Sequence, residues 1–513
     1  MKKFLCLFLA LMMLLAVLAA CGNNSNDNND GESQSTNDEL NNSDESESET
    51  ESRTATEDTG LEIRDFNKEE YQIVYGSGKS AAWDPQPLEV SVNDAVNSGL
   101  KVSEAGYKRN TLFQKDFNVK LYYNVQKRNN NPIGNESMLV FLRASALSGA
   151  EDFDMVMTGA NTVSPLAIEG YWYDLSKSNY ITPDAYYYES QVNNQLLIDG
   201  HQFFASGYYS TQNTAAIDVT YVNLDALRSV NSNLTKEDLY ELVLSHDWTL
   251  DKMLDLGKGY ATPDQNLGLP SDVSINGFNS DNKYSLVLSK NYCQNMYYDL
   301  GGDVIVYNEN TYGYDVVVDT PTNQDLLTYI QESITTNSEV LLAPNDSHFA
   351  AFLKQAAPFI IVTYVNLPKV NNAGFEWTML PAPLHNQGDD YRSYSDAYSL
   401  NLAGIPRMCD DIDKATYLYE MFMAYSYDHV YPAYYEDSFK TTYQPDTQSC
   451  KVFDIVAKSR VVCAANVYGW FGENGNINDI VSGKHGVGSH APLIKQDVYN
   501  NMMSALDSFN EES

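Results

Sequence analysis

The chain has 513 residues, a formal net charge of −37 and 38 tyrosines against 19 phenylalanines. Its length allows two or three domains, and a chain this acidic is a poor partner for nucleic acid or an anionic membrane face. Tyrosine joins an apolar ring to a hydroxyl, which suits wet interfaces and sugar-like ligands.

In chain order, Lys2 and Lys3 precede an apolar run from Phe4 to Ala20. The run is shorter than the roughly 20 residues that span a bilayer, and with its small-residue end it reads as an export signal over residues 1–20. Leu18, Ala19 and Ala20 stand directly before Cys21. This resembles the lipobox of bacterial lipoproteins, which implies that Cys21 is lipidated and becomes the first mature residue. Two acyl chains meet the requirement for stable anchoring, each buried methylene being worth about 0.8 kcal/mol. Residues 22–60 hold twelve acids, one arginine and no aromatic residue. Such a stretch cannot bury enough apolar surface to fold, so 21–60 reads as the lipidated cysteine and an acidic tether. The signal carries +2 and the tether −11, which leaves −28 on the body from Leu61 to Ser513.

In the body, "YQIVYG" (71–76) is a β-rich run ending in glycine, and "RNTLFQKDFNVKLYYNV" predicts a helix ending near Phe117 and a strand from Val119 to Val125. "NESMLVFLRASALSG" predicts an amphipathic helix closed by Gly149, and "DFDMVMTG" a buried strand. This β-α-β-α-β order predicts a mostly parallel sheet with helices on both faces, hence an α/β fold. Ligands of such sheets sit beyond the carboxyl ends of the strands, which nominates the loops Gly76–Trp83 and Thr158–Val163. Further on, "AAIDVTYVNLDAL" is a long strand entering a turn. "TKEDLYELV" is a helix with Thr235 as N-cap and Asp238 reaching back. "DWTLDKMLDLGKGY" and "HFAAFLKQA" are short helices, "APFIIVTYV" a buried strand, and "FEWTMLPAPL" a strand broken by Pro381 and Pro383. "DIDKATYLYEMFMAYSY" is a helix capped by Asp411 or Asp413, and "IKQDVYNNMMSALDSF" gives a final helix.

Familiar chemical motifs fall short. "YGSGKS" lacks the first glycine of a phosphate loop, since Ile73 stands in its place. "DVSINGFNSDNK" opens like a calcium loop but ends on Lys283 where a bidentate glutamate is needed. His485 and His490 are not at zinc spacing. Cys293, Cys409, Cys450 and Cys463 allow three pairings among which the sequence cannot choose. No GxSxG or HExxH occurs, so catalysis has no positive sign, and the chain is read as a non-enzyme with no cofactor and no metal.

The ordered segments "LFQKDFNVKLYYN", "EDFDMVMTGANTVSPLAIEGYWYDLSK", "FFASGYYSTQNTAAIDVTYVNLDAL", "HDWTLDKMLDLGK" and "FEWTMLPAPLHNQGDD" carry a resemblance. Together with the lipobox they resemble the extracellular solute-binding proteins of bacterial ABC importers, family 1, sugar-type, over residues 65 to 510. "FLKQAAPFIIV" departs from the "GKAAM" segment usual before the buried strand. The resemblance implies a two-lobed periplasmic-binding-protein-like fold of type II. Lobe one would hold 61–208 and 381–435, and lobe two 213–380 and 436–513. Hinges would fall at Ser206–Thr211, Leu380–Pro383 and "HVYPAYY". It also implies a small solute, a sugar or oligosaccharide, bound by closure of the lobes. Delivery would be to ABC permease subunits by a monomer held on the extracytoplasmic membrane face by its lipid alone.

A sugar offers hydroxyls around apolar C–H faces, which calls for a ring beneath it and amides or carboxylates at the rim. Strand ends and side-chain chemistry nominate Trp83, Thr158, Asn161, Tyr394 and Asp396 from lobe one. Tyr209, Tyr364, Tyr468 and Trp470 are nominated from the hinge and lobe two. Trp470, in "NVYGWFGENG", lies where related sugar binders carry a stacking residue. Trp172, Trp248 and Trp377 are assigned to the core or scaffold. Two rival readings are a ligand-presenting protein for a membrane sensor and a lipid-anchored, glycan-active enzyme.

Overall fold

The computed structural model describes residues 59–77, 101–127, 135–149, 153–210, 213, 215–262, 282–344, 347–397, 399–434 and 447–512. Cys21, the leader, Trp83, Thr211 and most of the calcium-like segment lie outside the described residues. Residues from Arg53 to Ser513 form one unit.

Its strands in chain order are β1 (Glu70–Ser77), β2 (Lys120–Lys127), β3 (Met155–Gly159), β4 (Asp218–Asn223), β5 (Leu286–Ser289), β6 (Ile305–Asn308), β7 (Gly313–Val316), β8 (Val340–Ala343), β9 (Phe359–Thr363), β10 (Trp377–Pro381), β11 (Ser393–Tyr394), β12 (Asn401–Gly404) and β13 (Arg460–Val461). The helices used below are α1 (Lys101–Asp116), α2 (Asn135–Ser148), α3 (Ala160–Ile168), α4 (Lys236–Leu244), α5 (Leu250–Lys258), α6 (Asn295–Asp299), α7 (Ile412–Pro432), α8 (Thr447–Lys458), α9 (Ala464–Val467) and α10 (Val487–Glu512).

Two larger sheets organise these elements, ordered β12-β3-β1-β2 and β10-β4-β9-β5-β8. In the first, β1 runs parallel to both β2 and β3, and β12 closes the edge antiparallel to β3. Both faces of this sheet are covered. Tyr71, Ile73 and Tyr75 of β1 enter one apolar cluster and Val74 enters another. The same alternation divides Met155 and Met157 from Val156 on β3. One face packs under α1 and α7, where Phe113 meets Phe422 edge-on at 5.5 Å. Helix α1 starts at Lys101, ahead of the predicted "RNT". Near its end Asn118 takes φ +47°, and Gly149 closes α2 at φ +65°.

The second sheet is mixed, not mostly parallel. Strand β4 is antiparallel to both β9 and β10, while β5 is parallel to β8 and β9. The reason is connectivity: β4, where the chain enters this sheet, runs against β5, β8, β9 and β10, which all share one direction. Again both faces are buried, with Val219 and Tyr221 in one cluster and Val222 in the other. The chain thus folds as two α/β halves, each about its own sheet. The cluster containing Val74 and Val156 of the first half also contains Val222 and Leu286 of the second. Residues of the C-terminal segment, from Val461 to Met502, join it. That segment touches the first half directly, since Ser164 Oγ of α3 donates to the Val467 carbonyl.

Helix signals are resolved as the sequence predicts. Thr235 and Asp238 form a capping box at α4, and Asp411, not Asp413, caps α7 by accepting from the Lys414 N–H. Trp248 is fully buried, its ring 5.7 Å from that of Phe359 and its Nε1 donating to the Pro381 carbonyl at 3.1 Å. Trp172 is buried too, with Nε1 donating to the Val163 carbonyl. The short hairpin β6–β7 was not predicted, because it leaves one face in solvent, with Val306 45% exposed, and so lacks a strong apolar pattern. Cys293, Cys409 and Cys463 are buried thiols.

Candidate ligand-binding site

The chain passes between the halves three times. It leaves the first sheet after Ala205, which bridges Ala403, and enters β4 at Asp218. It returns from β10 through β11 to β12, and crosses again from α7, against the first sheet's core, to α8. Where these crossings meet, β11 and β13 pair as a short parallel ribbon. Polar side chains stitch the crossings together. Asn213 Nδ2 donates to Ser206 Oγ at 2.9 Å and to the Asn401 carbonyl at 3.0 Å, while its Oδ1 accepts from the Asn401 N–H at 2.7 Å. Asn401 Nδ2 reaches Ser210 Oγ at 3.1 Å. Beside them the buried Arg460 donates to the Asn213 carbonyl and lies 3.2 Å from Glu189.

A second polar group sits at the start of β4. Asn295 Nδ2 donates to Asp218 at 2.7 Å, and the Tyr394 N–H donates to Asp299 Oδ1 at 2.7 Å. Ser395 Oγ donates to the Ala216 carbonyl. Burial pushes the Asp218 carboxyl up to about 7, opposed by the Asn295 hydrogen bond and reinforced by the charge of Asp396. Asp299 is raised well above the carboxylate range, first by burial and then by Asp218, against the pull of the Tyr394 N–H and Arg392.

The segment 393–401 links these groups to the first sheet. The Asp396 carbonyl accepts from the Leu400 N–H, and the Leu400 carbonyl accepts from the Ala160 N–H at 2.7 Å. Asn161 is therefore the neighbour of a residue tied to this segment, and Thr158 pairs with Leu402 across the β3–β12 ladder. Thr158 and Asn161 are thus tied through the backbone to the segment that carries Tyr394 and Asp396. Thr158 Oγ1, Asn161 Oδ1, Asn295 Oδ1 and Asp299 Oδ2 are buried with no hydrogen-bond partner among the described residues.

The nominated tyrosines and Trp470 are all buried. Tyr394 stacks on Tyr298 with centroids 4.3 Å apart and takes a hydrogen bond from Asn466 at 2.7 Å. Tyr209 is fully buried, its hydroxyl donating to the Asn401 carbonyl at 3.1 Å. Tyr468 stacks on Trp470 at 4.9 Å and donates to the Leu196 carbonyl, and Trp470 meets Tyr314 edge-on at 5.6 Å. The Trp470 Nε1 is buried and unpartnered among the described residues. Tyr364 is buried in the second sheet's outer cluster.

Sequence reasoning missed a tyrosine row at the crossings. Tyr208 lies 4.3 Å from Tyr431 and 5.2 Å from Tyr427, Tyr427 stacks on Tyr431 at 5.2 Å, and Tyr186 meets Tyr427 at 4.8 Å. Tyr427 packs against the first half's cluster and Tyr431 against the second's, so the row spans both. Burial raises the Tyr208 hydroxyl pKa, with the charge of Glu189 adding to the shift and that of Arg460 opposing it. The spacing of Tyr427 and Tyr431, four apart on a helix, was the available signal. Pockets lined by Ser145, Phe153 and Tyr171 and by Glu237, Glu241 and Gln448 involve none of these residues. Among the described residues no group of three or more His, Cys, Asp or Glu side chains could hold a metal ion, and no helix is long and apolar enough to cross a membrane.

No family model matches the sequence, and no curated protein matches it. Among solved structures, the ABC substrate-binding protein Lmo0181 from Listeria monocytogenes, in complex with cycloalternan, is similar at a TM-score of 0.48 and 15% identity. The match covers 85% of this chain and 99% of that one. A likeness this distant carries no argument about the present chain, whose fold is read from its own sheets.

Proposed function

We propose that this chain is a solute-binding protein, lipid-anchored on the extracytoplasmic face through Cys21. It takes a small hydroxyl-rich solute, a sugar or oligosaccharide, between its halves and delivers it intact to an ABC permease. The observation that carries the reading is the set of buried polar atoms on Thr158, Asn161, Asn295 and Asp299 that have no partner among the described residues. An acceptor buried without a donor costs roughly 1–3 kcal/mol, and solute hydroxyls would supply the missing donors. The tyrosine row Tyr186, Tyr208, Tyr427 and Tyr431 offers ring faces where the chain crosses between the halves. Trp83, Tyr209, Tyr364, Tyr394, Asp396, Tyr468 and Trp470 remain part of the proposed site.

Recognition follows from the crossings. A solute held from both halves makes its full contacts only when they are together, so it shifts the population toward that form. A permease can then distinguish loaded from empty protein. No step acts on the solute, which separates this reading from the glycan-active enzyme.

The test is thermal unfolding of the mature body against a panel of mono- and oligosaccharides, amino acids and peptides. A ligand at one hundred times its Kd adds about 2.7 kcal/mol of stability. A sugar that raises the midpoint and is recovered unchanged supports the proposal. No shift with any sugar, or recovery of cleaved product, overturns it.

A further inference from the structure

We infer that the Glu189–Arg460 ion pair is a pin that holds the two halves in register across the first and return crossings. Its partners belong to different halves. Glu189 follows Tyr187 and Tyr188, which lie in the first half's cluster and donate their hydroxyls to Glu420 of α7 at 2.5 Å each. Arg460 opens β13 two residues after α8. That helix packs on α4 and β10 of the second half, with Phe453 and Val456 in the second sheet's outer cluster. The guanidinium Nε lies 3.2 Å from Glu189 Oε1, and the two side chains are 4% and 9% exposed.

Each charge also holds a crossing. Glu189 Oε2 accepts from Ser206 Oγ at the start of the first crossing, and the Glu189 N–H donates to the Ser206 carbonyl at 3.2 Å. Arg460 Nη2 donates to the carbonyl of Asn213, further along the same crossing. Asn213 Nδ2 reaches back to Ser206 Oγ at 2.9 Å, so Glu189, Ser206, Asn213 and Arg460 form a closed loop of contacts. The return crossing is bound to this loop at two points. Asn213 exchanges hydrogen bonds with the Asn401 backbone, and Ser393 pairs with Arg460 in the β11–β13 ladder, where Ser459 Oγ donates to Ser393 Oγ at 2.8 Å. Cutting the ion pair opens the loop.

Stability alone does not account for the pair. Removing two charges from water costs about as much as their mutual attraction gains. Arg460 Nη1 is buried with no hydrogen-bond partner among the described residues, a further cost. What the pair supplies is geometry. A planar guanidinium admits few arrangements of its acceptors, so the Glu189 carboxylate and the Asn213 carbonyl are held in fixed directions about β13. An apolar pair of the same volume would fill the space and leave the crossings free to slide.

The experiment compares the wild-type chain with Arg460→Met and with the double variant Glu189→Gln/Arg460→Met, by denaturant unfolding and amide hydrogen exchange without solute. Arg460→Met leaves a buried carboxylate unpaired, so its midpoint should fall and exchange at 206–210 and 393–397 should rise about tenfold or more. The double variant carries neither charge. Its midpoint should return toward the wild-type value while exchange in the two segments stays raised, a separation that a purely stabilising pair would not show. Wild-type exchange at both segments in the double variant overturns the pin, as does exchange raised equally in β1 and β5. Should the variants not fold, native-state exchange of the wild type decides. A common opening free energy for 206–210, 393–397 and 460–462, lower than that of global unfolding, supports the pin, and unrelated values for the three segments remove it. No solute enters any of these readouts, so failure here leaves the proposed binding function standing.

Discussion

Tyr431 shows how a single side chain can belong to two halves at once. It packs against the second half's cluster while its ring lies 4.3 Å from Tyr208 and 5.2 Å from Tyr427. If the row stacks on a sugar, Tyr431→Ala or Tyr208→Ala should weaken binding about tenfold in titration calorimetry, a stacked ring being worth about 0.5–1.5 kcal/mol beyond its buried area. Unchanged affinity in both variants removes the row from the site. Trp470→Ala tests the residue nominated from sequence in the same assay. A purely structural expectation stands at Gly257 on α5, where an added Cβ would lie 2.8 Å from the Ser285 carbonyl oxygen. Gly257→Ala should destabilise by about 1–3 kcal/mol, read from the midpoint of denaturant unfolding.

At the scale of the element, local signals and their outcomes correspond closely. Thr235 and Asp238 satisfy two orphan N–H groups at the start of α4. Thr235→Ala should cost about 1 kcal/mol, with hydrogen exchange rising first in 236–244. Helix α7 was legible because its cap and its apolar face are written in contiguous residues. The start of α1 was not, since Lys101–Lys108 is polar and half exposed and its helical state depends on α7 packing alongside. The hairpin β6–β7 escaped for the same kind of reason, its inner face being supplied by Trp470 far along the chain.

For the whole molecule the expected behaviour is a change in the relation of the two halves. Small-angle scattering should show a smaller radius of gyration on adding a solute that raises the melting point, and no change on adding one that does not. At the other end of the chain, Cys21→Ala should move the protein from the membrane fraction to the medium and abolish incorporation of labelled fatty acid. Persistence in the membrane would sink the anchor.

What residues 1–60 propose and where most strands and helices fall could be read from composition, caps and periodicity, because each depends on residues near one another in sequence. The segments from Thr158 to Asn161 and from Tyr394 to Asp396 were nominated for the same reason, as strand ends and loops. Only the tertiary structure decided the antiparallel course of β4 and the burial of Tyr209, Trp470, Asp218 and Asp299. Each of these depends on which distant segments share a border once the sheets pack, and pairing across hundreds of residues leaves no local pattern in the chain.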